Sequence, residues 1–419
     1  MDDLLQWLRS KKMKIIKTRP SFSEGTGWGL VAAEDLRQGE LVLDIPNQLI
    51  IRSSLIDELQ PYREALRKHS GLINSFELLM LFLCHESSLG ASSDWAPYIR
   101  VLPKLSSFTT PLNVKEVQVE MLPDSVRDMF RNQRNDIAQM TCRLQTFWTS
   151  LCPNNNNTNA LTSECILWSW HCVNTRCVFV DNPINEYLNN ADGDVVAMMP
   201  YFDLLNHSPY ARTQSTFYRQ TQSYRLCTNH GVAEGDEIFI CYGPHSNARL
   251  FVEYGFVLDE NPSNSVQITN DELYAFAKKC GCDVTDANLE ALNHAVGLRL
   301  YELQCDSTWI SWMLMAAVRI LSMSGSEIKS WKNIIYKNSD FVEDKILAAL
   351  GIRILKLALD ALTEKYNAAR PTIPPNIKSL PMRKMLYHIW SDEMRTIANA
   401  IKNLDDLVND RRRIQSDSD

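Results

Sequence analysis

The sequence predicts an α+β fold in which short strands mixed with helices give way, after about residue 262, to an all-helical remainder. Three observations carry this. Clusters of β-branched and aromatic residues bounded by Gly and Pro occur at 30–45, 177–180, 215–226 and 237–242. Apolar residues recur at intervals of three and four through 124–148, 347–361 and 390–408, and Asn261-Pro262-Ser263 separates the two styles. The 419 residues, 45% hydrophobic and 22% charged, suffice for a large core and exclude collagen, coiled coil, general disorder and a disulfide miniprotein.

Taken in order, Asp2 to Leu8 reads as a short amphipathic helix, and a polar, Gly-rich stretch runs from Ser21 to Gly29. Leu30–Ala33 and Leu41–Ile45 then read as strands of one hairpin, turned at Gly39-Glu40 and closed by Pro46-Asn47. Phe76 to His85 is almost wholly apolar and too long for one strand, so a helix is expected. Asp124 to Trp148 aligns Val126, Met129, Phe130, Ile137, Met140, Leu144 and Phe147 on one helical face. The four asparagines 154–157 mark an exposed loop. Strand character returns in Cys177–Val180, Ser215–Leu226 and Glu237–Tyr242, with Gly231, Gly235 and Gly243 at turns. Beyond Ser263, Leu347, Leu350, Ile354, Leu357 and Ala361 form one helical stripe, and Trp390, Met394, Ile397, Ile401, Leu404 and Val408 another. The loop Pro371–Pro381 interrupts them, and Arg411–Asp419 is a polar tail.

The net charge of -7 argues against coating nucleic acid by bulk phosphate neutralisation. The acidic excess falls in the first 262 residues and suits a basic partner, although a solvated acidic face is the commoner reading. Eleven cysteines without a repeating interval read as reduced thiols, which points to cytoplasm or nucleus. The opening residues have no apolar stretch of the signal-peptide kind, and no run is long enough to span a membrane. Cys280-Gly281-Cys282 with His294 or Cys305 matches no standard zinc spacing, so no metal site is expected.

Gly25-Thr26-Gly27-Trp28-Gly29 has G-x-G-x-G spacing followed by a strand, which does not suit a dinucleotide fold; by itself it is a glycine turn shaping a hairpin. No kinase or Walker A signature occurs. Asn174-Thr175-Arg176, Tyr201-Phe202-Asp203-Leu204-Leu205-Asn206-His207-Ser208-Pro209 and Cys241-Tyr242-Gly243-Pro244 each set polar side chains beside an apolar run. Tyr242 and Tyr254 are separated by a span that allows both phenols to reach one pocket. A phenol, with a pKa of about 10, is a poor base near neutrality but a good hydrogen-bonding group for orienting an amine.

Together, Gly-Trp-Gly, Asp-Leu-Leu-Asn-His-Ser-Pro, Cys-Tyr-Gly-Pro-His-Ser-Asn and Glu-Tyr-Gly-Phe, in this order and spacing, resemble the SET-domain protein methyltransferases of the Rubisco large-subunit lysine methyltransferase branch. The resemblance implies a split SET domain over 1–262 with a helical insertion at about 52–165, a helical substrate-binding domain over 263–410, and the tail 411–419. It implies S-adenosylmethionine as methyl donor. Gly27 and Gly29 would pass the backbone along it, and Glu40 with Val42 would border its methionine and ribose portion. Arg176 and Asp203 would lie near the cofactor or substrate channel, while Asn206 and His207 would contact the amino and adenine portions. Tyr242 would be the catalytic tyrosine, with Tyr254 and Phe256 completing the pocket wall. The implied partner is a protein presenting a lysine, histones among the candidates, with no direct nucleic-acid or membrane partner and a monomeric chain. The three-cysteine zinc motif that follows the catalytic tyrosine in many histone-directed members is missing here, in keeping with this branch. A sister branch methylates a histidine in actin, so a histidine acceptor is the nearest alternative. A catalytically silent binding module is the other.

Overall fold

The structure, a computed structural model, describes residues 1–419 apart from 16, 116, 154–159, 181, 192, 297–302, 338–343, 374–379 and 410–419. The asparagine run 154–157 and the tail 411–419 lie outside the described residues. The chain forms two compact units, residues 1–113 with 131–244 and residues 114–130 with 245–419. The division therefore falls after Pro244 and not at Asn261-Pro262-Ser263, and a segment preceding and opening the long central helix belongs to the second unit.

The first unit begins with α1 (Asp2–Ser10), on which Leu4 and Leu8, one turn apart, are fully buried. Two strands follow, β1 (Thr18–Ser23) and β2 (Gly27–Ala32), and then β3 (Leu41–Pro46). Between Pro46 and Val178 the described residues form helices and loops: α2 (Ser53–Asp57), α3 (Tyr62–Lys68), α4 (Ser75–Leu89), α5 (Ala96–Ile99), α6 (Asp124–Leu151) and α7 (Ser163–Arg176). Helix α4 starts with a reciprocal cap: the Asn74 side chain accepts from the Glu77 N–H at 2.9 Å and the Glu77 carboxylate accepts from the Asn74 N–H at 3.1 Å. Its residues Leu78 to Cys84 are all buried, as a helix apolar all round must be. Helices α6 and α4 are joined by Arg143, whose Nε donates to Glu77 at 3.1 Å.

The strand pairing differs from the sequence reading. β2 pairs antiparallel with β1, Ser23 facing Gly27 and Thr18 facing Ala32, so the polar Ser21–Gly29 stretch is mostly strand. Gly27 takes φ +79°, which a side chain would resist, at the end of the tight connection. β3 does not pair with β2. It joins a three-stranded sheet in the order β3-β8-β7, in which the stretch read as strand over 215–226 is divided between β7 (Thr213–Tyr218) and β8 (Ser223–Thr228), paired as a hairpin. Leu43 and Ile45 are buried there opposite Leu226 and Tyr224. Burying those side chains outweighs the proximity of a neighbouring strand. The remaining strands are short: β4 (Val178–Phe179) with β5 (Val196–Ala197), and β6 (Asn206–His207) parallel to β9 (Phe239–Ile240).

The second unit contains α8 (Asn247–Tyr254), β10 (Ser265–Gln267), α9 (Asn270–Lys279), α10 (Asp286–Val296), β11 (Gln304–Asp306), α11 (Trp312–Ser322), α12 (Trp331–Lys337), α13 (Lys345–Ala369) and α14 (Leu380–Asn409). The small β10-β11 pair interrupts what the sequence presents as all-helical. The stripes read from sequence form the core: Leu347 and Ile354 of α13 and Trp390, Ile397 and Leu404 of α14 are buried. Cys280 and Cys305 are buried in this unit. Among the described residues no three His, Cys, Asp or Glu side chains converge on an ion site, and no helix is long and apolar enough to cross a membrane.

Glu393 on α14 is buried and accepts from the Ser125 hydroxyl. Burial pushes its carboxyl from 4.5 up to about 7, with Ser125 and Lys365 opposing and Asp124 and Asp392 reinforcing the rise. Folded Glu393 thus retains a proton that the unfolded chain releases near pH 4.5, so its contribution to stability is lost as pH rises through about 7. Glu393→Gln is expected to abolish this loss. Denaturant unfolding at about pH 5 and about pH 8 should show the variant gaining on the parent by on the order of 3 kcal/mol.

Candidate active site

The site grows from the parallel β6–β9 pair, in which Asn206 faces Phe239 and His207 faces Ile240. The Ser208 N–H extends the pairing to the Ile240 carbonyl at 3.0 Å. This register brings Tyr242 back over β6. The Tyr242 N–H donates to His207 Nδ1 at 3.1 Å, and the Tyr242 hydroxyl donates to the Leu205 carbonyl at 2.8 Å. The two rings lie 5.1 Å apart with a 34° tilt. Because Nδ1 accepts, the neutral His207 ring carries its proton on Nε2.

The N-terminal hairpin meets the same place. Val31 of β2 bridges Glu237, and the Ile238 N–H donates to the Leu30 carbonyl at 2.8 Å. Glu237 in turn accepts from the Asn206 amide at 2.7 Å. A Cβ on Gly29 would come within 2.4 Å of Glu237 Oε1 and 2.9 Å of Asn206 Nδ2. A side chain here would have to displace the ends of the Glu237 and Asn206 side chains, an effect separate from the positive φ of Gly27.

Arg176, at the C-terminal end of α7, supports the other side. Its Nη1 donates to the Asp203 carbonyl at 2.8 Å and approaches Asp203 Oδ2 at 3.4 Å. Tyr98 of α5 donates to the same Oδ2 at 2.8 Å. Burial works against the Arg176 charge, but Asp203, Tyr98, Cys172 and Tyr242 outweigh it and raise its pKa, so Arg176 stays protonated. Burial pushes the Asp203 carboxyl up, while Arg176 and Tyr98 oppose that shift. Asp203 lies on a short 3-10 turn, Phe202–Leu204, entered through Tyr201 at φ +78°. Tyr201 is fully buried and its hydroxyl lies 3.0 Å from Thr18 Oγ1. That contact holds a left-handed backbone that costs a non-glycine residue of order 1 kcal/mol.

The residues expected from sequence are thus distributed unevenly. Gly29, Asn206, His207 and Tyr242 converge, and Arg176 and Asp203 brace the segment that carries Asn206 and His207. Glu40 and Val42 sit at the β3-β8-β7 sheet. The Glu40 carboxylate accepts from Lys17 at 2.9 Å and from the Arg37 N–H at 3.1 Å, which lowers its pKa, and Val42 is buried in the core. Tyr254 and Phe256 belong to the second unit, where Tyr254 ends α8, Gly255 closes it at φ +80°, and the two rings lie 6.1 Å apart. The sequence reading missed Glu237 and Tyr98. Glu237 could have been noticed as the acid heading the apolar run that ends at Tyr242, whereas nothing in the local sequence around Tyr98 marks it.

This fold and site define a SET domain. The SET domain family model matches residues 27–243, and the chain belongs to that family. It is 29% identical over 415 residues to SET domain-containing protein 4 of Mus musculus, covering 97% of this chain and 92% of that one. Ribosomal lysine N-methyltransferase set11 of Schizosaccharomyces pombe is 27% identical, with 63% of each chain covered. An actin-histidine N-methyltransferase of Danio rerio is 26% identical over 73% of this chain and 49% of its own. In fold, the chain resembles Rubisco LSMT in a structure with sinefungin and monomethyllysine, at TM-score 0.62, 15% identity and 99% and 95% coverage.

Removing the Tyr98 hydroxyl should leave Asp203 with one fewer donor. Tyr98→Phe is expected to lower unfolding free energy by about 2 kcal/mol, the usual scale for a hydrogen bond to a charged group. A double-mutant cycle with Asp203→Asn, read by denaturant unfolding, should show the two losses to be non-additive.

Proposed function

We propose that the protein transfers a methyl group from S-adenosylmethionine to the side-chain amine of a lysine in a protein substrate. The observation that carries this reading is the double anchoring of Tyr242, by backbone to His207 and by hydroxyl to the Leu205 carbonyl, beside Asn206, Glu237 and the close-packed Gly29. Membership of the SET-domain family supports it, and so does the relative named as a ribosomal lysine N-methyltransferase. The donor set suits the methyl donor. Gly27 and Gly29 offer main chain without side-chain bulk, and Asn206, Glu237 and His207 offer amide, carboxylate and imidazole groups for an amino-acid and adenine ligand. Asp203 Oδ1, buried and without a hydrogen-bond partner, leaves further acceptor capacity at the base of the site.

S-adenosylmethionine, when bound, supplies a methyl group on a positively charged sulfonium. The task left to the chain is alignment and electrostatics. The Tyr242 hydroxyl donates a hydrogen bond to the Leu205 carbonyl, which fixes the direction of the phenol against an incoming amine. A lysine amine with an ordinary pKa of about 10.4 must reach the site neutral, and loss of hydration together with neighbouring positive charge favours that form. Tyr242 orients this amine and does not serve as its base. The second unit, with Tyr254 and Phe256, is assigned to substrate recognition in this reading, and the cytoplasm or nucleus to its place of action.

The nearest other acceptor is histidine, favoured by the resemblance to an actin-histidine N-methyltransferase. Incubation of the purified protein with methyl-labelled S-adenosylmethionine and a cell extract or histone mixture, followed by amino-acid analysis, separates the two. Label in methyl-lysine is expected; label in methyl-histidine would move the assignment to the other acceptor, and cofactor binding without label would make the chain a binding module. Tyr242→Phe should lower the rate of labelling about 100-fold, the scale of one lost polar group in a site of this kind, with cofactor affinity in calorimetry little changed. Gly29→Ala should do the reverse in emphasis. By forcing Glu237 and Asn206 apart it is expected to weaken cofactor binding by about tenfold or more, corresponding to about 1.4 kcal/mol.

A further inference from the structure

Away from the candidate site, the second unit carries three aromatic rings at its surface, where side chains of α11 and α12 meet. Trp312 is the first residue of α11 and Tyr336 lies near the end of α12; they are 40% and 58% exposed. Their rings stack at 6.3 Å with a 29° tilt, and Trp331, which opens α12, lies 6.0 Å from Tyr336 with a 53° tilt. Rings already held against one another lose little further freedom when a flat ligand joins them. The surroundings of this platform are basic. The 3-10 turn Ile328–Ser330 runs directly into α12, so Lys329, Lys332 and Tyr336, spaced three and four apart, follow one exposed line, with Asn333 and Lys337 on a second. Lys332 Nζ stands 5.6 Å from the centre of the Trp331 ring. No acidic residue occurs from Ile328 to Lys337. Glu327, just before them, is engaged by Arg319 at 2.8 Å and by the Ser324 N–H at 2.9 Å.

We infer that this surface binds single-stranded RNA, with bases stacking on Trp312 and Tyr336 and phosphates lying along Lys329, Lys332 and Lys337. The resemblance implies no nucleic-acid partner, and the net charge of -7 opposes coating by the chain as a whole; a local strip of lysines beside exposed rings is a separate matter. Unpaired bases suit the platform because each offers a flat face. The exposed Asn333 amide, one turn before Lys337, offers both a donor and an acceptor to a 2′-hydroxyl. A lipid surface fits less well. The exposed neighbours of the rings on α12 are Lys332, Asn333 and Lys337, so no apolar face continues from the rings into a bilayer. This surface stands apart from the methyl-transfer reading and does not depend on it.

The test is fluorescence anisotropy of a labelled oligouridine of about 12 nucleotides, within the span of such a site, titrated with the full-length protein over a series of salt concentrations and without methyl donor. Three lysine–phosphate contacts, each contributing about 0.7 on a single strand, should make log K fall against log salt with a slope of about -2. Replacing the exposed lysines together, Lys329→Gln, Lys332→Gln and Lys337→Gln, should remove most of that slope while the rings stay in place. Tyr336→Ala is expected to weaken binding about tenfold, the scale of one lost stacking contact, whereas Tyr336→Phe, which keeps the ring, should bind like the parent. Circular dichroism of each variant shows that the fold is retained. Binding unchanged in both the lysine variant and Tyr336→Ala, or no binding up to about 100 µM, the weak end of non-specific affinity, would overturn the assignment. So would tighter binding of duplex RNA or of oligodeoxyuridine of the same length, or binding to phosphatidylserine vesicles in place of the oligouridine.

Discussion

The parallel pairing of Asn206 and His207 with Phe239 and Ile240 governs the candidate site because three separate contacts exist only in its register. It turns Tyr242 back so that its N–H reaches His207 and its hydroxyl reaches Leu205. It also places Glu237 where the Asn206 amide can donate to it. A slip of one residue would send the alternating side chains to the opposite faces. Such a short pair has little strength alone, so its neighbours must hold the register. β2 does so through the Val31–Glu237 bridge, and the lack of a side chain at Gly29 permits that approach.

Support from below comes from a buried ionic cluster. Removing Arg176 and Asp203 from water is expensive, and the attraction between them compensates only when their remaining polar atoms find partners. The Arg176 bond to the Asp203 carbonyl and the Tyr98 bond to the carboxylate meet part of that demand. The cluster anchors the chain immediately before Leu205, whose carbonyl receives the Tyr242 hydroxyl. The left-handed backbone at Tyr201 enters the same turn and is held by a buried tyrosine body and the Thr18 contact. An energetically costly backbone, a buried ion pair and the anchored phenol therefore lie on one short stretch. A site that must align two reactants gains from such over-determination.

Much of the architecture was legible because helices report themselves locally. The stripe on α14, Trp390 through Val408, and the stripe on α6, Val126 through Phe147, arise from side chains three and four residues apart, so the sequence displays their buried face directly. Strand partners do not report themselves in this way. Leu30–Ala33 and Leu41–Ile45 looked like one hairpin because they are adjacent, yet β3 finds its partner in β8, far along the chain, where Leu226 and Tyr224 complete the burial. The motif residues Gly29, Asn206, His207 and Tyr242 were visible as a combination. Tyr98 and Glu237 were not, since a single polar residue in a largely apolar neighbourhood carries no periodic signal.

By itself the sequence determined the fold class, the helical faces, the family resemblance and the tyrosine at its centre, all of which depend on local spacing or on motifs in order along the chain. Only the tertiary structure decided that Glu237 receives the Asn206 amide, that Tyr98 and Arg176 share Asp203, and that Glu40 is occupied by Lys17. These are encounters between distant segments. Burial of apolar surface brings such segments together, and the polar groups carried with them must then find partners or bear the cost of lost hydration.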